Sequence, residues 1–162
     1  MRTQSGPSAA GTRIETRLTA LLCALGAWTL VVPYVGHAIG LGVNVASRVE
    51  IVDHVVPGAL VSVIAGGLLL LARRKPAVDG WATLLGGGVC FLAGFWVLAT
   101  HVPLLFDAAR GQARWGAALW HASTALPIVL ISLWYALRGA GLVGEEGGQS
   151  SDATPRKAAR RG

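Results

Sequence analysis

Residues 50–75 read EIVDHVVPGALVSVIAGGLLLLARRK, and this stretch decides the fold. From Val55 to Ala72 it holds no charged residue, and a helix of that length spans about 27 Å, close to the hydrocarbon thickness of a bilayer. The basic triplet Arg73-Arg74-Lys75 that follows is typical of the cytoplasmic boundary of a membrane span. The stretch therefore predicts a transmembrane helix at about residues 54–72.

The composition is that of a membrane protein. Of 162 residues, 53% are hydrophobic and 14% are charged, whereas soluble domains carry about 25% charged residues. The net charge of +6 raises the question of a nucleic-acid partner, but the basic residues flank the apolar runs and form no basic-aromatic face. We therefore expect the lipid bilayer as a partner and no nucleic acid. The excess of Arg over Lys is typical of a GC-rich bacterial genome, which favours the bacterial cytoplasmic membrane as the location.

Further apolar runs predict three more membrane spans. The first run is longer than the apolar core of a signal peptide, about 7 to 15 residues, and lacks a convincing cleavage site, so we interpret it as a retained helix. Short connections make successive helices antiparallel neighbours. The predicted fold is an all-α membrane protein, with four transmembrane helices in an antiparallel bundle over residues 18–138. The four helices are expected at about residues 18–39, 54–72, 81–105 and 115–137.

The distribution of basic residues predicts the topology. Eleven of the fourteen lie before the first helix, after the second or from the end of the fourth onward, which places both termini in the cytoplasm. The tails, residues 1–17 and 139–162, are rich in Gly, Ser and charge, and we expect them to be disordered. Between the first two helices, the spacing of Val45, Val49, Val52 and Val56 favours an amphipathic helical turn over a strand, because an unpaired strand edge near lipid leaves backbone groups unsatisfied.

Small residues recur four positions apart in the first and third predicted helices, a spacing that lets another helix approach closely. They are Gly36, Gly40, Ala82, Gly86, Cys90 and Gly94. The pattern does not distinguish packing within one chain from packing against a second copy or another membrane protein. Cys23 and Cys90 lie in apolar runs without metal-ligand spacing, so we interpret them as packing residues.

The chain has four histidines, one in each predicted helix. His37 ends the first helix, His54 begins the second, His101 ends the third and His121 begins the fourth. Counted from the predicted cytoplasmic ends, all four lie roughly 25 to 30 Å along their helices, in one layer near the outer face. Imidazole is the commonest metal ligand, and ionisable groups at membrane depth are often functional. The first interpretation is four independent interfacial histidines, because helix ends near the headgroups favour polar residues. The alternatives are a haem or transition-metal site with these four ligands, and a proton-linked or substrate-lining role.

Polar neighbours would support these ligands. Glu50 and Asp53 lie within about one helical turn of His54, and Tyr34 precedes His37 by three residues, so each is placed to hydrogen-bond a ligand. Pro57 would deprive the Asp53 carbonyl of its usual helical partner.

The halves of the predicted bundle, residues 18–75 and 81–138, are equally long and share one pattern. Each second helix carries a proline followed five residues later by a serine, at Pro57 and Ser62 and at Pro127 and Ser132. The number of residues that separates matching positions of the two halves is not constant along the chain. Both a parallel duplication and a chance similarity therefore remain possible explanations of the shared pattern.

The sequence holds no HExxH, CxxC or phosphate-binding motif, and we assign no catalytic residue and do not expect an enzyme. The expected function is that of a small accessory or partner-binding membrane subunit, acting on another membrane protein or on a second copy. The alternatives are a haem- or metal-binding redox protein that uses the outer histidine layer, and a small transporter component. The transporter is less favoured because no charged residue lies in the middle of a predicted span.

Overall fold

The computed structural model describes residues 9–36, 38–39, 48–74, 78–113 and 115–143. Within these ranges the protein is helical and contains no strand, which confirms the predicted all-α class. The helices are α1 (Ala9–Val35), α2 (Arg48–Glu50), a π-helical turn (Ile51–Val55), α3 (Val56–Arg74), α4 (Gly80–Ala109) and α5 (Trp115–Gly139). α2, the π turn and α3 follow one another without a break, so the described residues form four long helical stretches.

Three of these stretches are long and apolar enough to cross a membrane. They are Arg13–Val35, Ile51–Arg74 and Gly80–Ala109. Length and composition thus support a membrane protein. In α5 the apolar stretch over the residues searched, Ser123–Gly139, is shorter, and the fourth span remains a prediction.

α1 begins at Ala9, well before the start predicted at residue 18. The extra turns contact α5, where Glu15 forms an ion pair with Arg138. The Tyr135 hydroxyl also donates a hydrogen bond to the Glu15 carbonyl oxygen at 2.6 Å. Because these contacts come from a helix more than a hundred residues away, the local composition gives no sign of them.

The other helices begin and end near the predicted residues, except that α4 continues past residue 105 to Ala109. Two predictions lie outside the described residues. These are the disorder of the chain ends, at residues 1–8 and 144–162, and the first part of the amphipathic turn predicted between the first two helices, at residues 40–47. The rest of that segment, from Arg48 onward, is helical.

Glycines bring the helices of each half into backbone contact. In the first half, a Cβ atom added at Gly58 would meet the backbone of Leu30, and one added at Gly26 would lie 2.7 Å from the amide nitrogen of Ser62. Because positions further along α1 meet positions further back on α3, the two helices run antiparallel. Only a residue without a side chain allows such an approach.

Glycines also bring the two helices of the second half into close contact. A Cβ atom at Gly87 would lie 2.6 Å from the amide nitrogen of Ala136, and one at Gly139 would lie 2.7 Å from the carbonyl oxygen of Gly80. α4 and α5 are therefore also antiparallel and in close contact along this stretch.

An apolar core joins the four long helices midway along their length. Its buried members come from α1, α3, α4 and α5, and are Leu22, Val61, Ala65, Cys90, Ala93 and Ile128. α3 also contacts α4 directly, since a Cβ atom at Gly86 would lie 3.0 Å from Cδ1 of Leu68. The core separates the two ends of the helices, each of which carries its own polar cluster.

Candidate functional site: a buried imidazole pair

Two polar clusters lie at opposite ends of the helices. We call the end that carries Arg73, Arg74 and Arg138 the basic end, and the end that carries His54 and His101 the histidine end. α3 and α4 run antiparallel, so the first turn of one meets the last turns of the other. This arrangement brings His54 and His101 to the same level.

The π turn Ile51–Val55 positions His54. It ends two residues before Pro57, which has no N–H to offer the Asp53 carbonyl and whose ring would crowd that carbonyl in a regular α-helix. Wider i→i+5 turns of this kind are frequent at functional sites. The turn also interrupts the regular i, i+4 spacing on which the predicted pairing of Glu50 with His54 depended.

His54 and His101 are in direct contact and buried. Their exposed fractions are 4% and 9%, their ring centroids are 4.9 Å apart, and the ring planes meet at 79°, an edge-to-face contact. Burying the polar atoms of an imidazole costs free energy unless they are hydrogen-bonded.

The hydrogen bonds of His101 define its tautomer. Its Nδ1 lies 2.6 Å from the carbonyl oxygen of Val97. A carbonyl oxygen can only accept, so Nδ1 carries the proton and donates it. In the neutral ring the lone pair is then on Nε2, the state in which a histidine with a fixed Nδ1–H binds a metal ion. The Thr100 hydroxyl oxygen lies 3.2 Å from the same Nδ1 atom.

Asp53 precedes His54 in the π turn, and its carboxylate contacts α4. The Trp96 indole Nε1–H donates to Oδ1 of Asp53 at 3.3 Å, which links the π turn to α4. The Asp53 side chain is half-buried, while that of Trp96 is 51% exposed. The carboxylate therefore lies at the rim of the histidine end, next in sequence to His54.

The structure brings together two of the four predicted ligands. His37 lies outside the described residues, and His121 belongs to α5 but its side chain is not among those described, as is also true of Glu50. Tyr34 is described and its side chain is 58% exposed. Within the described part of the chain, no three His, Cys, Asp or Glu side chains come together at metal-binding distance. The full four-histidine layer stays a prediction.

The predicted small-residue stripe packs inside the chain at the positions whose contacts are described. Gly86 faces α3, Cys90 is part of the apolar core, and a Cβ atom at Gly94 would lie 2.7 Å from Cγ2 of Ile128 in α5. Gly36 is buried after the end of α1 and Ala82 is half-buried, while Gly40 lies outside the described residues. The closest backbone contacts are made elsewhere, at positions the four-residue spacing did not reveal. They are Gly26, Gly58, Gly87 and Gly139.

Sequence reasoning also missed the cluster at the basic end. There the hydroxyl oxygens of Thr19 and Tyr135 are 2.5 Å apart, and Arg138 pairs with Glu15 while its guanidinium lies 5.4 Å from the ring centroid of Trp134. The only signal in the sequence is that Glu15 and Thr19 are one helical turn apart. The cluster closes α1 onto α5.

The distance between the ring centroids is that of an ordinary edge-to-face contact, and it is also compatible with one shared metal ion. With metal–nitrogen bonds of about 2.0 Å and tetrahedral angles, two histidine ring centroids on one ion lie about 5 Å apart. Because the rings now meet edge to face, one of them would have to rotate about its χ2 torsion to admit the ion. Imidazole side chains adopt a broad range of χ2 angles, so this rotation costs little. Two axial ligands of one haem would need their centroids about 6 Å apart with the macrocycle between them, which the contact between these rings does not allow.

Comparison of the chain with protein-family models, with curated proteins and with solved structures finds no match.

Proposed function

We propose that this chain is a four-span protein of the bacterial cytoplasmic membrane with both termini in the cytoplasm. Three apolar helices support this directly. α5 supports the fourth span because it lies antiparallel along α4, from Gly139 beside Gly80 to Ile128 beside Gly94. The arginines at one end favour that end as the cytoplasmic side.

We further propose that its activity is to bind a divalent transition-metal ion at the histidine end, as an accessory subunit for another membrane protein or for a second copy. The observation that carries this proposal is the buried contact between His54 and His101. Nitrogen ligands of this kind suit zinc, copper, nickel and iron, and not the oxygen-seeking calcium or magnesium.

His101 is the better defined of the two ligands. Its Nδ1–H bond to Val97 fixes the ring, and the lone pair on Nε2 is the donor toward the ion. His121 and His37, predicted at the same level from the sequence, are the candidates for completing the coordination, together with water.

A haem between His54 and His101 is less well supported than a single ion because their rings are in contact. A haem held by His37 or His121 remains an alternative that absorption spectroscopy distinguishes, since a haem gives a Soret band that sharpens on reduction and a zinc ion gives none.

The test is elemental analysis of the full-length protein, purified in mild detergent, with absorption spectra before and after dithionite. We expect about one transition-metal ion per chain, as for a site with imidazole ligands, and no Soret band. His101→Asn is the informative variant, because the Asn amide can still donate to Val97 while Nε2 is lost. It should keep the fold and lose the ion, and a wild-type protein that is folded and metal-free after incubation with zinc would refute the proposal.

A further inference from the structure

The imidazole pair is far from the basic end. His54 and Arg73 lie at opposite ends of one continuous helical stretch, about 28 Å apart at the helical rise. An ion bound at the histidine end would have to pass the whole length of the helices to reach the other side.

The described residues between the two ends form a mainly apolar layer, in which the buried polar side chains are the hydroxyls of Thr29 and Ser132. Leu22, Cys90 and Ile128 fill the centre and are at most 1% exposed. The hydroxyl of Ser62, at this level, donates to the carbonyl oxygen of Gly58 in its own helix at 2.8 Å. A hydrated cation needs polar groups along its path, and this core supplies an unfavourable environment for it.

At the basic end, side-chain contacts between α1 and α5 form a second barrier to an ion. The ion pair of Glu15 with Arg138 and the hydrogen bond of Thr19 with Tyr135 join α1 to α5. The arginines of this end would also repel a cation.

The histidine end, in contrast, presents a carboxylate. Asp53, the residue before His54, is half-buried and accepts a hydrogen bond from the Trp96 indole. We infer that the imidazole pair exchanges its ion with the extracytoplasmic side only, and that Asp53 is the carboxylate through which the ion enters. This inference rests on the proposed metal site and makes the protein a one-sided binder of a transition-metal cation, not a conduit for it.

The experiment uses full-length protein loaded with zinc in detergent and then reconstituted into sealed liposomes. A protease site and tag appended after Gly162 report, by cleavage from outside, the fraction of molecules whose basic end faces outward. External EDTA, which does not cross the bilayer, is then added, and the zinc left on the protein is measured after the liposomes are washed. A matched sample dissolved in detergent gives the total that EDTA can remove.

EDTA should remove zinc only from the molecules whose tag is protected. Removal of all the zinc from sealed liposomes would overturn the inference, as would removal from the tag-exposed molecules instead. A protein that binds no zinc in detergent fails at an earlier step and refutes the proposed function itself, so the two failures are distinguishable.

The Asp53→Asn variant tests whether the ion enters past the Asp53 carboxylate. The amide keeps an oxygen that can accept from Trp96 Nε1–H, but the charge is gone, so zinc should load more slowly, on the order of tenfold, with the same final stoichiometry. Asp79→Asn, which makes the same change of charge just before α4 at the basic end, serves as the control and should load at the wild-type rate. An Asp53→Asn protein that also loads at the wild-type rate would exclude Asp53 as the entrance.

Discussion

The hydroxyl oxygens of Thr19 and Tyr135 lie 2.5 Å apart, although 116 residues separate them in the chain. Both side chains are buried, and Tyr135 also donates to the Glu15 carbonyl oxygen. The first and last long helices are joined at this point, whereas the larger helix contacts lie within each half. The hydroxyl pair therefore holds the two halves together at the basic end.

Tyr135→Phe should destabilise the fold by removing both hydrogen bonds while leaving the ring. Hydrogen bonds between membrane helices contribute about 0.6 kcal/mol on average and up to about 1.7 kcal/mol, and the loss should fall in this range. Thermal unfolding in detergent, followed by the change in tryptophan fluorescence, measures it. Tyr34→Phe is the matched control, because the Tyr34 side chain is exposed, and equal stability of the two variants would contradict the role of Tyr135.

The glycine contacts predict a sharp difference between neighbouring positions. A Cβ atom at Gly87 would meet the backbone of α5, whereas one at Gly88 would meet nothing within 4 Å. Gly87→Ala should therefore cost about 1 to 3 kcal/mol, the usual cost of overpacking, while Gly88→Ala should be neutral or slightly stabilising. Chemical unfolding in mixed micelles compares them, and a destabilised Gly88→Ala protein beside an unaffected Gly87→Ala protein would contradict the packing of α4 on α5.

The stripe at Gly86 and Gly94 was open to two interpretations in the sequence, and the structure favours packing within the chain. Gly94→Leu should then lower the unfolding temperature of the purified chain itself, because the new side chain would clash with Ile128. Static light scattering on the same sample would show whether the oligomeric state changes. An equally stable chain with an altered oligomeric state would mean that this face meets another molecule.

The proposed topology predicts opposite behaviour for two reporter fusions. Alkaline phosphatase, which is active only outside the cytoplasm, should be active when fused after residue 113, between α4 and α5. Green fluorescent protein, which becomes fluorescent in the cytoplasm, should fluoresce when fused after Gly162. Activity measurements in whole cells test both, and the reverse result would place the basic end outside.

Much of the fold was predictable because its signals are local. The uncharged run from Val55 to Ala72 and the three like it are visible as composition, and the observed helices lie where these runs are. The start of α1 at Ala9 was not predictable, because Glu15 is stabilised by Arg138 and Tyr135 of α5. A window of sequence around residue 9 contains neither partner.

The candidate site also has features that the sequence predicted and features that it did not. Counting residues along the helices predicted that His54 and His101 would lie at one level, and the ring contact agrees with this prediction. The count did not reveal which imidazole nitrogen bonds the backbone, nor that Trp96 holds Asp53, because both depend on how each helix is rotated about its axis. The π turn ahead of Pro57 changes that rotation, and regular helical spacing does not anticipate it.

We propose that His54 and His101 bind one transition-metal ion together, and a cobalt titration of the apo protein tests this binding. Co²⁺ bound by imidazoles in a tetrahedral site gives visible absorption bands that hydrated Co²⁺ lacks. We expect these bands to appear in the wild-type protein and to saturate at about one ion per chain, and His101→Asn should abolish them while the far-UV circular dichroism stays unchanged. A wild-type protein without such bands, or a folded His101→Asn protein that keeps them, would contradict a shared metal site.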